Sequence, residues 1–462
     1  MINKLINDPG VLEGYSEDGG GTQLVPDYLA RPSSVEELQE IVKYCAAESI
    51  PITPTGARTC DTGSGLTDKG LILSNEKRKK ILEINEDQGF CDVEPGIYLY
   101  DLKQELKGRG FFYPPDPSSE KIATLGGTVA TNAAGARSFK YGQTADHVIG
   151  MEVVLADGSK EWVANYQGTK CTTGPASLQQ LGRLFVGSEG IFGVFSKFRL
   201  KIYPESFETF AICAYFKTTE DMHAFNRDIN AGLYEAVSPR SLEFMDESCL
   251  NLIKNSGKFP QVPETGSCTV ILEQEFQAEQ QERYLMAWLD VLEKAGAIVE
   301  DTVVADSDGK IAELRELRHY PPSRIWEMGK QVQSEGGKKV STDWAVPVNQ
   351  LEAMMEKAEP LCESFGFPKE RVFRYAHLGD GHPHYNFVPR NHQETKNALE
   401  LRKELSKLAL QFGGTIAGEH GVGKFRKELF YMEKAHLKMR LMRSLKEELD
   451  PNGLFSPGNI TT

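Results

Sequence analysis

Three short segments rich in small residues constrain this fold more than any other feature. They are PTGARTCDTGSG (54–65), TLGGTVATNAAG (124–135) and GSEGIFG (187–193). Glycine lets backbone amides approach a phosphate closely, and consecutive N–H groups form anion-binding nests. Any one of these segments alone reads as an ordinary turn; three within 140 residues point to a phosphate-bearing cofactor. None is GxGxxG, so a Rossmann dinucleotide fold has no support. The run Gly418 to Lys424 matches GxxxxGK, but Phe425 follows instead of the Ser or Thr a P-loop needs for magnesium, which excludes a nucleotide hydrolase.

The texture of the chain changes at Pro204. Before it, short predicted strands lie at 50–53, 71–73, 81–84, 90–93, 147–155 and 196–202. A helix is expected after Ser33 or Ser34, with Glu36 or Glu37 completing a capping box and Val35, Leu38, Ile41, Val42 and Cys45 on one face. A second helix is expected over 98–108, ended by glycine. After Pro204, strands near 209–216, 242–245 and 268–276 alternate with long helices near 219–231, 278–295, 349–365, 394–412 and 433–449. That is an α+β pattern.

With 52 Lys+Arg against 66 Asp+Glu, the net charge of −14 argues against a general nucleic-acid or anionic-membrane binder. No uncharged apolar run approaches the roughly 20 residues that span a bilayer, and the opening MINKLINDPGVLEG lacks an apolar signal core. Eight scattered cysteines without a CxxC pair read as reduced thiols, so a cytoplasmic location is expected. Of nine histidines, three fall in HLGDGHPH (377–384), and His420 follows Glu419 in GEHGVG (418–423). Clustered imidazoles and carboxylate are ingredients of a divalent metal site. Two geometries are open: a bend at Gly379–Gly381 bringing His377 to His384, or His382 with His384 on one strand face. A polar loop of solvated imidazoles is the third reading.

The order RPSSVEELQEIV, PITPTGARTCDTG, DVEPGIYLYDL, FYPPDPSS, TLGGTVATNAAGARSFKYGQTADHVIGMEVVLADG, FVGSEGIFGVFSKFRLKI and closing DPNGLFSPGNI resembles the vanillyl-alcohol-oxidase-like (PCMH) flavoprotein family. The resemblance implies an α+β fold: a PCMH-type FAD-binding domain of two small α+β subdomains (1–204), an antiparallel-sheet α+β substrate or cap domain carrying a metal site (205–420), and a C-terminal helical segment packing back on the FAD domain (421–462). It implies non-covalent FAD. Gly56, Thr59 and Gly63 would meet the pyrophosphate. Pro115, Asp116, Thr124, Gly126, Gly127, Thr131, Asn132 and Ala134 would line flavin and ribitol, and Gly190 and Val194 the adenine side. Arg137, Lys140 and Tyr141 would run beside the isoalloxazine. Arg58, Cys60 and Asp61 depart from the family's first loop; an aspartate there opposes a pyrophosphate unless it points away.

HxGDGxxHxN followed by GEHGxG resembles the metal-dependent D-2-hydroxy-acid dehydrogenase branch, the D-lactate, D-2-hydroxyglutarate and glycolate enzymes. By that likeness His377, His384 and Glu419 bind a divalent metal (zinc, iron or manganese), and His420 is the general base. Asn386 contacts substrate, with Arg318 and Lys338 or Lys339 (Lys339 preferred) as carboxylate partners. His382 stands where the branch has asparagine. Pro321 and Pro322 are expected to break the helix begun by LRELRH (314–319). The expected activity is FAD-dependent oxidation of a small D-2-hydroxy acid, re-oxidised by an external acceptor: an electron-transfer flavoprotein, a quinone or a cytochrome. A homodimer is left open. The alternatives are a non-redox flavin-dependent ether-lipid synthase and a catalytically silent flavin-binding subunit.

Overall fold

The computed structural model describes residues 5–259, 262–433 and 435–460. The first four residues of the N-terminal stretch, and residue 434 of the expected 433–449 helix, lie outside these. The chain divides into two units. The first comprises Met1–Gly135, Gly142–Glu205 and Glu419–Thr462; the second Ala136–Tyr141 and Ser206–Gly418. Apart from a one-residue shift at Glu205, two places differ from the sequence expectation. Residues 136–141 go with the second unit, and Glu419 and His420 go with the first. Each has a contact reason. Tyr141 donates to Glu275 of the second unit at 2.6 Å. The chain after Gly418 is gripped by Cys60, Thr62 and Glu189 of the first.

The first unit holds a three-stranded parallel sheet, Tyr28–Ala30, Leu71–Ser74 and Ile52–Thr55, with Leu71–Ser74 central. Helix Val35–Ala47 covers it. Ser34 caps that helix by accepting from the Glu37 N–H, and Glu37 reaches back to the Ser33 N–H. Leu38, Ile41, Val42 and Cys45 bury against Ile52, Leu71 and Leu73. An antiparallel sheet of five strands (order Ile81–Asn85, Phe90–Val93, Val194–Lys201, Val148–Val154, Lys160–Ala164) forms the second layer. Its core takes in helix Leu99–Lys107 through Leu99, Leu102 and Leu106. The C-terminal segment completes this unit. Phe455 joins the first core, and buried Lys446 donates to the carbonyls of Ile191 (2.7 Å) and Phe455 (2.9 Å).

The second unit is built on one sheet of seven strands, central among them Glu208–Phe216, Cys268–Phe276, Pro239–Asp246, Val372–His377 and His382–Phe387. Helices cover both faces, so alternate residues all bury. Phe210, Ile212, Ala214 and Phe216 enter one core, and Ala211, Cys213 and Tyr215 the other. Helix Asp308–Gln331 runs unbroken through Pro321 and Pro322, which corrects the expected break. Ile311, Leu314, Leu317, Pro321 and Ile325 keep one buried stripe across both prolines. That packing outweighs the ~3 kcal/mol an interior proline costs, and the Ser323 hydroxyl bonds the His319 carbonyl at 3.0 Å.

Candidate active site

A cavity of 570 Å³ lies within the first unit. Its wall is mostly backbone and small side chains: Gly56, Ala57, Gly65, Gly96, Gly126, Gly127, Ala130, Ala133, Ala134, Gly190 and Gly193. The glycines are there because nothing larger fits. A Cβ on Gly56 would fall 2.4 Å from Thr124 Oγ1, and one on Gly126 3.0 Å from Pro95. Thr124 caps helix Leu125–Thr131 through the Gly127 N–H. Thr55 Oγ1, also on this wall, is buried without a hydrogen-bond partner in the protein.

Glu419 and His420 line the same cavity, with His420 Nε2 3.3 Å from Glu419 Oε1. Their loop is held from several sides. Cys60 Sγ donates to the His420 carbonyl at 2.8 Å, and the Thr62 carbonyl accepts from Lys424 N at 2.9 Å and Phe425 N at 3.2 Å. Asp61 takes Arg426 Nη2 on both carboxylate oxygens at 2.8 Å. Glu189 accepts from Val422 N at 2.7 Å and Gly423 N at 2.6 Å. Glu189 sits at φ +51°, a left-handed conformation rare outside glycine and asparagine. Burial pushes its carboxyl up to about 7, against the pull of the two amides. Enclosure and the Asp61 charge push the Cys60 thiol up to about 12, so it is a protonated donor and not a nucleophile at neutral pH.

The second unit carries a different cluster. Strands Val372–His377 and His382–Phe387 form a hairpin through the turn Leu378–Asp380 and Gly381, with His377 paired directly to His382. Two-residue alternation puts His382 and His384 on the face that also shows His377, Tyr375 and Glu243. Ring centroids are 4.4 Å apart for His382–His384, 5.6 Å for His377–His384 and 5.7 Å for His377–His382. His377 Nδ1 lies 2.7 Å from Glu243 Oε1, whose other oxygen is 2.8 Å from Arg318 Nη2. Burial raises the Glu243 carboxyl, but His377 and Arg318 outweigh it and hold it below the usual range. His382 Nε2 lies 3.2 Å from Asp343 Oδ1. A Cβ on Gly418 would fall 2.6 Å from His382 Nε2, so the chain leaves this unit beside the histidines.

The family model "FAD linked oxidases, C-terminal domain" matches residues 210–460, and "FAD binding domain" matches residues 26–164. The chain belongs to the FAD-linked oxidase family. It is similar to the glycolate oxidase subunit GlcD of Bacillus subtilis (30% identical, covering 95% of this chain and 89% of that one). It is also similar to the D-lactate dehydrogenase of Anaerostipes hadrus (31%; 94% and 89%), and to the D-2-hydroxyglutarate dehydrogenase of Stutzerimonas stutzeri (25%; 99% and 96%). Among solved structures, an alkyldihydroxyacetonephosphate synthase shares the fold (TM-score 0.73, 17% identity, 99% of this chain and 82% of that one).

The cavity of this FAD-linked oxidase suits FAD by its own chemistry: glycines where a Cβ would clash, a capped helix start, and a buried hydroxyl lacking a protein partner. Of the residues expected to hold FAD, Gly56, Thr59, Thr124, Gly126, Gly127, Thr131, Ala134, Gly190 and Val194 are on the wall. Gly63, Pro115, Asp116 and Asn132 are not. Gly63 instead admits the Phe425 ring, which a Cβ would meet at 2.3 Å. Asn132, at φ +53°, caps the helix and bonds Gln143 and the Ala145 N–H. Asp61 points to Arg426, which removes its conflict with a pyrophosphate. Arg58 also lines the cavity, over the Tyr15 ring. Lys140 and Tyr141 sit in the second unit on Glu275. Sequence reasoning missed Asp18, Tyr98, Pro95 and Phe195 on the wall. Only tertiary proximity brings those to it.

In the second unit, Arg318 is 7% exposed, paired with Glu243 and placed over the Tyr375 ring. Asn386 is fully buried, donating to the Phe373 and His384 carbonyls at 3.2 Å. Lys339 precedes the edge strand Val340–Ser341 that pairs with Asn386 and Phe387.

Proposed function

We propose that this FAD-linked oxidase oxidises a small D-2-hydroxy acid of the glycolate, D-lactate or D-2-hydroxyglutarate type to the 2-oxo acid. The observation that carries the reading is that His420 and Glu419 line the same cavity as the glycine loops. An acid–base residue and a flavin cradle thus share one wall. When bound, FAD supplies a two-electron hydride acceptor. A divalent ion held by His377, His384 and Glu419 would supply Lewis acidity toward the substrate hydroxyl. The names of the similar enzymes support the substrate class.

In this reading His420 takes the hydroxyl proton on a ring nitrogen, since imidazole titrates near physiological pH. Its main chain is fixed by Cys60 on the carbonyl and by Glu189 on the two N–H groups beyond it. Glu243 accepts a hydrogen bond from His377 Nδ1–H and so orients that ring, and Arg318 holds Glu243 ionised. Arg318 therefore acts through Glu243, leaving Lys339 as the stronger candidate for the substrate carboxylate. Asn386 fixes the backbone between the histidine strands. Electrons then leave to an external acceptor such as an electron-transfer flavoprotein, a quinone or a cytochrome.

The test is an anaerobic visible spectrum of the FAD-loaded protein with glycolate and the D- and L-forms of lactate and 2-hydroxyglutarate. Bleaching by a D-acid or glycolate, abolished by chelation, is expected. A flavin that none of them reduces would end this reading.

A further inference from the structure

We propose that His382 is a third imidazole ligand, so that the second unit holds a divalent ion with His377, His382 and His384. This rests on the metal reading above and goes beyond it by changing the donor set. One nitrogen of each of the three imidazoles lies within 4.8 Å of one on each of the others. Tetrahedral nitrogen ligands at about 2.0–2.1 Å from an ion stand about 3.4 Å apart, so small side-chain rotations close the set.

The hairpin supplies the placement. His382 and His384 are two apart on one strand, and His377 faces His382 across the pair. All three therefore project from one sheet face without an unusual backbone. Pro383, between the two, faces the other way. It lies where the edge strand Val340–Ser341 no longer pairs, so its missing N–H costs no bond to that strand.

Carboxylates fix two of the tautomers. A carboxylate only accepts, so His377 donates Nδ1–H to Glu243 and His382 donates Nε2–H to Asp343. Each ring then presents its other nitrogen as a lone pair, the carboxylate–histidine arrangement that orients metal-binding imidazoles. Gly418 matters here as well. Any side chain at that position would strike the His382 ring, so its glycine keeps the imidazole where Asp343 can bond it.

The chemical consequence is selectivity. Three neutral imidazoles leave the ion its full charge and favour zinc or cobalt over manganese. They also make the ion less dependent on Glu419.

The experiment titrates the metal-free, FAD-loaded full chain with Co(II), read by its visible d–d bands, and with Zn(II) against a chromophoric chelator. The wild type is expected to bind one equivalent. His382→Asn is expected to weaken binding at least tenfold and alter the Co(II) bands. Asp343→Asn, which leaves the ligand in place, is expected to weaken binding severalfold. Glu419→Gln is expected to retain the ion. Wild-type affinity and an unchanged spectrum in both His382→Asn and His382→Gln, with the flavin retained, would overturn the proposal and leave the His377/His384/Glu419 reading standing. No stoichiometric ion in the wild type, with His377→Ala no different, would overturn both.

Discussion

The two units build their functional surfaces from different material. Around the cavity of the first, the working surface is main chain: glycines, capped amides and backbone in unusual conformations. All six non-glycine residues with positive φ among those described (Ser49, Arg58, Asn132, Glu189, Ser456 and Ile460) belong to it, and Arg58 and Glu189 line its cavity. In the second unit none does, and the working surface is side chains on a regular sheet. His377, His382 and His384 sit beside Glu243, and Glu273 and Glu275 on the same sheet are paired with Arg240 and Arg315. Close approach to a phosphate needs absent side chains and bent backbone. Holding an ion or orienting an imidazole needs rigid strands and carboxylates.

The largest effect is expected at His420, the base in the proposed reaction. His420→Asn is expected to slow flavin reduction by roughly 10²–10⁴-fold with flavin content unchanged, measured by anaerobic stopped flow. A near-normal rate would mean that His420 is not the base. Next, Gly56→Val places side-chain atoms inside contact with Thr124. It should purify with most of its flavin lost, read as the absorbance ratio of flavin to protein, while Co(II) binding by the histidine hairpin persists. Loss of both would show general unfolding instead of a local effect on the cavity.

Asp61→Ala leaves buried Arg426 without its carboxylate. Because Asp61 is partly exposed, a loss of about 1–3 kcal/mol is expected, below the figure for a fully buried pair. It should appear as a lower melting temperature and slower flavin reduction with flavin retained. A drop in melting temperature alone would make the contact merely structural.

The smallest test concerns the second unit. Burial, with Arg227 adding to it, lowers the ring of His223 to about 4. The folded state keeps it neutral while the unfolded chain protonates near 6.5. The unfolded chain therefore binds more protons as pH falls, and stability drops from pH 6.5 down to 4, by at most about 3 kcal/mol. His223→Gln should flatten that slope in denaturant titrations across this range. An unchanged slope would place the acid sensitivity elsewhere.

The contrast also explains what could be read in advance. The glycine blocks announced the cavity because backbone binding leaves its mark on composition. Helix Val35–Ala47 and strand Cys268–Phe276 followed from caps and periodicity. The helix through Pro321 and Pro322 was misread because local propensity was outweighed by a buried stripe that only packing reveals. The pairing of Arg318 with Glu243 was not legible because the two lie 75 positions apart, and only long-range strand pairing puts Glu243 beside His377.

By itself, then, the sequence determined the α+β plan, the glycine cradle, the family and the residue types of the chemistry, all recorded in short-range order. Tertiary structure alone decided that Asp61 turns to Arg426, that Cys60 and Glu189 hold the His420 loop, and that three imidazoles share one sheet face. Those outcomes depend on strand register and on contacts across hundreds of residues. Their free energy comes from desolvated pairs that exist only once the chain has closed on itself.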